Sequence, residues 1–442
     1  MNSLSISYSG ASRTWRNRFA SALMVLLTLT LVACDSTDVE DDMPPEDQGV
    51  ETGVLLAVQL DDADADASFM TVYDGIPSEI SLEDMIEIGD RNARAFPIGD
   101  EIFVFDGNGV YTKYVVDRTT LEISVAGQLD LTGLGIEGEL GNPVPISEDV
   151  VYLVAYLSEQ VIKFDPSNDA GEPEIIEVIP FQRISLDRFI PFASDNVFTG
   201  TFRFERIGDK IVAPIVNTDV TDWTSPFEAQ LFVFDIPSET VTYITDNRLS
   251  GANFLMVGLE DGTFMTYPNW VSSGLVAYGQ PPNPAPSGST GLRVLPNGTT
   301  DPNFAVDFEQ AIGGGGQQVV IDTIPFVFGN EALVIHWEPG TDFPENSEDW
   351  RDFFNNSTTR SLVNLQTGAV RPFNSLAQYQ RINPMGVING DAYYSAPPNS
   401  VDRETTPWAH VRQDGTDSFT IVHELPLGTR PRTFQQLWGP GM

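Results

Sequence analysis

Six arginines and four tryptophans carry most of the recognition chemistry available to this chain of 442 residues. Arg94, Arg206, Arg381 and Arg432 fall near the starts of predicted inner strands in a repeat described below, and Arg183 and Arg188 lie in the long connection before its fourth unit. A guanidinium presents its donors in a fixed fork that grips a carboxylate or phosphate with two bonds, so a ring of arginines in an acidic protein would select a small anionic ligand. Taken singly, each reads first as half of a structural ion pair with a neighbouring acid. Trp223, Trp270, Trp350 and Trp408 lie in or beside four long predicted loops, Asn217 to Glu228, Pro268 to Ser289, Glu338 to Thr358 and Ala396 to Thr406. Indoles are favoured where a ligand or partner covers them, and the loops form a candidate ligand-binding face. The competing reading is that each indole folds back and pins its own loop.

Groups for catalysis are sparse. The three histidines, His336, His410 and His423, have no Gly-x-Ser-x-Gly elbow, His-Glu-x-x-His or cysteine cluster beside them. Nucleophilic and zinc catalysis are therefore not expected, and no catalytic residue is assigned. Acid–base work by scattered carboxylates stays open. The run Asp61-Asp62-Ala63-Asp64-Ala65-Asp66 opens like a calcium loop but lacks the glycine at its sixth position and the glutamate at its twelfth. A solvated acidic hairpin is expected there, with calcium as the alternative. Gly313 to Gly316 lack the Lys-Ser/Thr of a phosphate loop and read as a flexible connection. No cofactor is expected.

The N-terminus says where such a face would be displayed. Arg13, Arg16 and Arg18 precede an apolar run from Ala20 to Ala33, too short for a comfortable span, which is the pattern of a signal peptide over residues 1–33. The run ends Leu31-Val32-Ala33-Cys34 and resembles the lipobox of bacterial lipoproteins, in which the cysteine receives acyl chains. Cys34 is the sole cysteine and has no disulfide partner, which favours lipidation. At about 0.8 kcal/mol per buried methylene, several acyl chains hold a protein to a membrane with no transmembrane helix. In such lipoproteins an aspartate after the cysteine, here Asp35, often disfavours the outer membrane, so the periplasmic side of the inner membrane is expected. Residues 34–52 then hold eight acids, no base and the pair Pro44-Pro45, the composition of a disordered tether.

Without the three leader arginines, 20 bases face 63 acids, a net charge near −43. Nucleic acid and anionic surfaces are disfavoured as partners. With three lysines in all, such a surface repels itself less in salt, which suits a saline habitat.

The rest, residues 53–442, is read as one all-β domain. A short unit recurs in which an apolar strand, a two-residue polar turn and a second apolar strand follow one another. The turns are Gly99-Asp100, Glu148-Asp149, Gly208-Asp209, Asp261-Gly262, Gly329-Asn330 and Asn389-Gly390. A third strand ends in a polar turn seven times, at Asp74, Asp117, Asp165, Asp235, Pro296, Gln366 and Asp414, with steps of 43 to 71 residues. Blades of a β-propeller repeat at about 40 to 50 residues, so a single β-propeller of seven blades is predicted. The first unit lacks its innermost strand, which Arg432 to Trp438 would supply, closing the ring by pairing the chain's two ends. Two β-sandwiches, or a propeller of six or eight blades, are the alternative architectures. Helix-period segments are absent, apart from a turn near Leu82 to Ile88.

Lipobox, acidic tether and degenerate blades together resemble uncharacterised bacterial propeller lipoproteins, some of them encoded with siderophore systems. In outline the chain is also similar to quinoprotein dehydrogenases and propeller lactonases, although Gln366-Thr367-Gly368 is only an isolated echo of the docking motif of the former. The favoured function is a membrane-anchored envelope binding protein presenting a propeller face to a small anionic ligand or a protein partner. A calcium-dependent hydrolase and a scaffold for an envelope complex are the alternatives.

Overall fold

The computed structural model describes residues 54–62, 65–91, 93–107, 109–136, 141–184, 197–201, 203–219, 228–248, 254–268, 290–315, 317, 319–341, 358–379, 381–398 and 406–438. These form seven antiparallel sheets arranged as a seven-bladed β-propeller. From the innermost strand outward, blade 1 is Thr429–Trp438, Leu55–Asp62, Ala67–Asp74 and Ile86–Asp90. Blade 2 is Arg94–Ile98, Glu101–Phe105, Val110–Val116 and Ile123–Asp130, and blade 3 is Val144–Ser147, Val150–Ala155, Gln160–Asp165 and Glu174–Pro180. Blade 4 has a broken inner strand, Val197–Thr201 and Glu205–Ile207, then Lys210–Asp219, Ala229–Asp235 and Thr240–Asp246. Blade 5 is Phe254–Gly258, Phe264–Pro268, Thr290–Val294 and Thr300–Asp307. In blade 6 the inner strand is again broken, Ile321–Thr323 and Val327–Phe328, followed by Glu331–His336, Thr359–Asn364 and Val370–Pro372. Blade 7 is Asn383–Ile388, Asp391–Ala396, Ala409–Gly415 and Ser418–Glu424.

The second strand of each blade is covered on both faces by its neighbours. It therefore reads as a near-continuous apolar run, such as Leu55 to Leu60 or Val150 to Ala155, instead of alternating with polar residues. Apolar clusters fill all seven seams. Leu55, Ala57, Ile102 and Val104 join blades 1 and 2, for example, while Leu56, Val58, Tyr393 and Phe434 join blades 7 and 1. Each fully buried Leu, Val or Phe stabilises by about 1.5–3 kcal/mol, so the seams carry the stability of a fold with little helix.

The ring closes as the sequence predicts. Thr429–Trp438 pairs antiparallel with Leu55–Asp62, from Asp62 opposite Thr429 to Leu55 opposite Trp438. The pairing register slips between Gln59 and Leu60, where Thr433 and Pro431 are the successive partners and Arg432 is the extra residue of a bulge. Gln59 and Thr433 then reach sideways into blade 2. Gln59 Nε2 donates to the Ala93 carbonyl at 2.8 Å, Ala95 N donates to Gln59 Oε1 at 2.9 Å, and Thr433 Oγ1 donates to the Ala95 carbonyl at 3.0 Å.

Five of the six predicted turns are two-residue connections, and Asn389 and Gly390 both take positive φ, 51° and 84°, as that geometry demands. Asp261-Gly262 differs. Its flanking strands end at Gly258 and resume at Phe264, because Leu259 and Thr263 bond to each other across a wider loop. A six-residue helix that the pattern does not announce, Phe308–Gly313, links blades 5 and 6. Asp307 caps it by accepting from Gln310 N at 2.9 Å, and buried Phe308 anchors it. Gly313 ends this helix and Gly314, at φ 66°, is its left-handed cap, so these two are not a loose connection; Gly316 lies outside the described residues. Leu82–Asp84 is one 3-10 turn, and the outer strand Ile86–Asp90 follows it. No helix among the described residues is long and apolar enough to cross a membrane.

Candidate functional site

Every inner strand enters from one face of the wheel, because each blade runs inner to outer through antiparallel strands and the chain returns across that face to the next blade. We call this face the rim and the opposite one, which carries the two-residue turns, the turn face. Arg94 opens the inner strand of blade 2, while Arg430 and Arg432 lie near the head of the inner strand of blade 1.

These arginines gather around one acid. Asp61, at the rim end of the second strand, is 3% exposed and accepts from Ser68 Oγ at 2.7 Å and from Arg432 Nε. It is thus buried and paired, not a member of a solvated acidic hairpin, because the bulge turns Arg432 onto it. Arg432 Nη2 also donates to the Arg91 carbonyl at 3.4 Å, and Arg91 pairs with Asp66 at 3.1 Å. Arg94 donates through Nη1 to the carbonyls of Ala93, at 3.0 Å, and Arg91, at 3.4 Å. Arg430 stands opposite Asp61 in the strand register.

Among the described residues, no carboxylate lies within 4.0 Å of the Arg94 or Arg430 guanidinium. Burial first, and then the neighbouring charge of Arg432, push Arg94 down to about 10, against the pull of Asp61 and Asp90. A guanidinium held charged at such a cost gains when an anion arrives. The staple from Gln59 and Thr433 to the backbone of Ala93 and Ala95 fixes the Arg94 strand against the Arg432 strand.

The remaining predicted residues do not join this group. Arg206 lies at the far end of its strand, on the turn face, where Nε donates to the Gly208 carbonyl at 3.2 Å and Nη1 to that of Ile146 at 3.2 Å. The break in the inner strand of blade 4 carries it there: Glu205–Ile207 is the lower piece, not the start. Arg381 precedes blade 7 on the rim but is held by buried Asp322 at 2.9 Å, and Arg183 is held by Glu159 at 3.3 Å. Trp408 packs against the apolar cluster between blades 7 and 1, and Leu425 N donates to its carbonyl at 2.7 Å. That is the loop-pinning arrangement. Cys34, Arg188, Trp223, Trp270 and Trp350 lie outside the described residues.

Arg430 and Arg91 were not singled out by the sequence pattern. The signal available was two cations separated by one residue, Arg430-Pro431-Arg432, at the head of the closing strand.

The histidines are buried and tied up. His410 Nδ1 and His423 Nε2 share a hydrogen bond of 2.8 Å, and His410 stacks on Phe434 with ring centres 4.1 Å apart. His336 bonds the Trp337 carbonyl through Nδ1 at 2.7 Å and Ser361 Oγ through Nε2 at 2.9 Å. Among the described residues no group of three His, Cys, Asp or Glu is placed to hold a metal ion.

No protein-family model and no curated protein matches this chain. Solved structures do. The periplasmic gluconolactonase of Pseudomonas aeruginosa aligns with a TM-score of 0.50 at 11% identity, over 87% of this chain and 100% of that one. A hypothetical selenium-binding protein of Sulfolobus tokodaii gives 0.50 at 8%, over 88% and 94%, and a putative 6-phosphogluconolactonase of Bacteroides fragilis gives 0.47 at 10%, over 88% and 99%. At such identities the likeness shows the propeller fold alone.

Proposed function

We propose that this chain is a membrane-anchored envelope binding protein whose arginine rim takes a small anionic ligand. One observation carries the reading: in a chain of net charge −40, Arg94 and Arg430 crowd beside the Arg432–Asp61 pair with no ion-pair carboxylate of their own among the described residues. Unfavourable cationic crowding in an acidic surface is a feature a bound anion would relieve. Lipidation of Cys34 supplies the anchor.

Calorimetric titration of the mature chain with phosphate, sulfate, citrate and gluconate tests the rim. Gluconate belongs in the panel because one structural neighbour is a gluconolactonase. Charge-assisted hydrogen bonds contribute about 1.5–3 kcal/mol each, so R94Q/R430Q should weaken binding roughly 10-fold or more with the unfolding midpoint retained. Equal binding by parent and variant, or no binding by either, overturns the reading. Acyl chains on the Cys34 peptide, read by mass spectrometry of protein from bacterial membranes, test the anchor separately.

A further inference from the structure

The strand that closes the ring is held differently from the other inner strands. Six inner strands run through a short turn straight into the second strand of their own blade, whereas Thr429–Trp438 meets Leu55–Asp62 by pairing alone. It can leave its sheet as a unit, in the local manner by which proteins open short of global unfolding.

Its flank against blade 7 rests on two imidazoles. Phe434 is fully buried, with its ring centre 4.1 Å from that of His410 and 5.7 Å from that of His423. The imidazoles share one hydrogen bond, between His410 Nδ1 and His423 Nε2, which survives only while one of those two nitrogens is bare. His410 Nε2 is buried with no hydrogen-bond partner among the described residues. Leu56, Val58, Met385 and Ile388 belong to the same apolar cluster as Phe434.

The charged groups on the surrounding elements are engaged elsewhere. Glu424, next to His423 in its strand, acts on Tyr379, and Arg412, on the strand of His410, is tied to Asp414 and Asp391. Glu79, Glu83 and Asp84, on the segment between the last two strands of blade 1, are exposed. Asp62 accepts from Ala65 N at 3.1 Å at the rim, and Arg430 and Arg432 of the closing strand act on Asp61. The inner strand of blade 7 carries no charge, and Tyr73 and Tyr393 are held neutral by burial. Among the described residues only the Pro77 carbonyl draws His423 toward its charged form. A proton on either ring is thus a buried charge without a counterion, and a proton on both sets two N–H groups against each other.

We propose that this pair is an acid-sensitive latch: on acidification the closing strand Thr429–Trp438 detaches ahead of the other blades and takes Arg430 and Arg432 off the rim. That the ligand site comes apart with it rests on the reading of the rim given above; the detachment itself does not.

Hydrogen exchange of the ligand-free chain, read by mass spectrometry as protection factors at pH 7 and pH 5, tests the latch. A ring released from burial takes up a proton with an ordinary pKa near 6.5, so each raises the detached population roughly 20-fold over that interval. Protection in Thr429–Trp438 should fall at least about 20-fold, and in Val150–Ala155 of blade 3 less than about threefold. In H410L/H423L the fall at the closing strand should also be less than about threefold. If that variant is unfolded at pH 7, H423L alone should show a smaller fall than the parent. An equal fall in blade 3, or an undiminished fall in the folded variant, overturns the latch. No ligand is present, so a rim that binds no anion leaves this result unaffected, and a failed latch leaves anion binding at pH 7 unaffected.

Discussion

Asp61 and Arg432, 371 residues apart in the chain, form a buried ion pair at the rim end of the closed blade. Removing one partner of such a pair leaves the other charge buried and costs about 3–5 kcal/mol, whereas an apolar pair of similar size costs far less. R432A should therefore unfold at much lower urea than the parent, and D61L/R432M should recover most of the difference. Equal losses in the two variants would show that Asp61 is not held by Arg432.

The closing seam is sensitive to a single methyl group. A Cβ at Gly386 would lie 2.7 Å from the Phe434 carbonyl and 3.0 Å from Gln435 Cγ, so G386A must push the last strand away from blade 7. Overpacking of this kind costs about 1–3 kcal/mol. Deleting residues 429–442 goes further and bares the edge of Leu55–Asp62, which should appear as self-association in light scattering. A monomeric truncated chain with the parent's urea midpoint would contradict the closure.

Two histidines of the same seam set an acid limit. Burial pushes His423 down to about 4, and burial followed by the charge of His423 pushes His410 well below 6.5. The folded state then binds fewer protons than the unfolded one below about pH 6.5, so this contribution to stability is lost as pH falls from about 6.5 toward 4. Buried Glu205 and Asp322, raised first by burial, act in the opposite sense, so the comparison must be made between variant and parent. H410L/H423L should lose less stability between pH 7 and pH 5 than the parent does, in urea titrations at both values. An unchanged loss would remove the pair from the account.

Salt should stabilise the fold. With 63 acids against 23 bases, self-repulsion opposes compaction and is screened over about 10 Å at 0.1 M ionic strength. Tm is expected to rise as NaCl is raised from low to molar concentration, and a fall would refute the halophilic reading.

The wheel was legible because turns and strand ends are local chemistry. Asn389-Gly390 demands a hairpin, and the third strands do end at or beside Asp74, Asp117, Asp165 and Asp235. The closing strand could be read because one unit lacked a partner. The site was only half legible. Arg94 and Arg432 were placed on the rim, yet Arg206 went to the wrong face because a break inside an inner strand leaves no periodic signature. The burial of Asp61 depends on a one-residue slip between strands that meet only after the ring closes, and no local pattern encodes such a slip.

The pairing of Leu55–Asp62 with Thr429–Trp438 also dictates an order of events. A chain made from its N-terminus carries the first blade incomplete until Thr429–Trp438 has been made, so that seam cannot form before then. Among the described strands this pairing joins the partners farthest apart in sequence, so its loop-closure cost is met only once both ends of the domain are present.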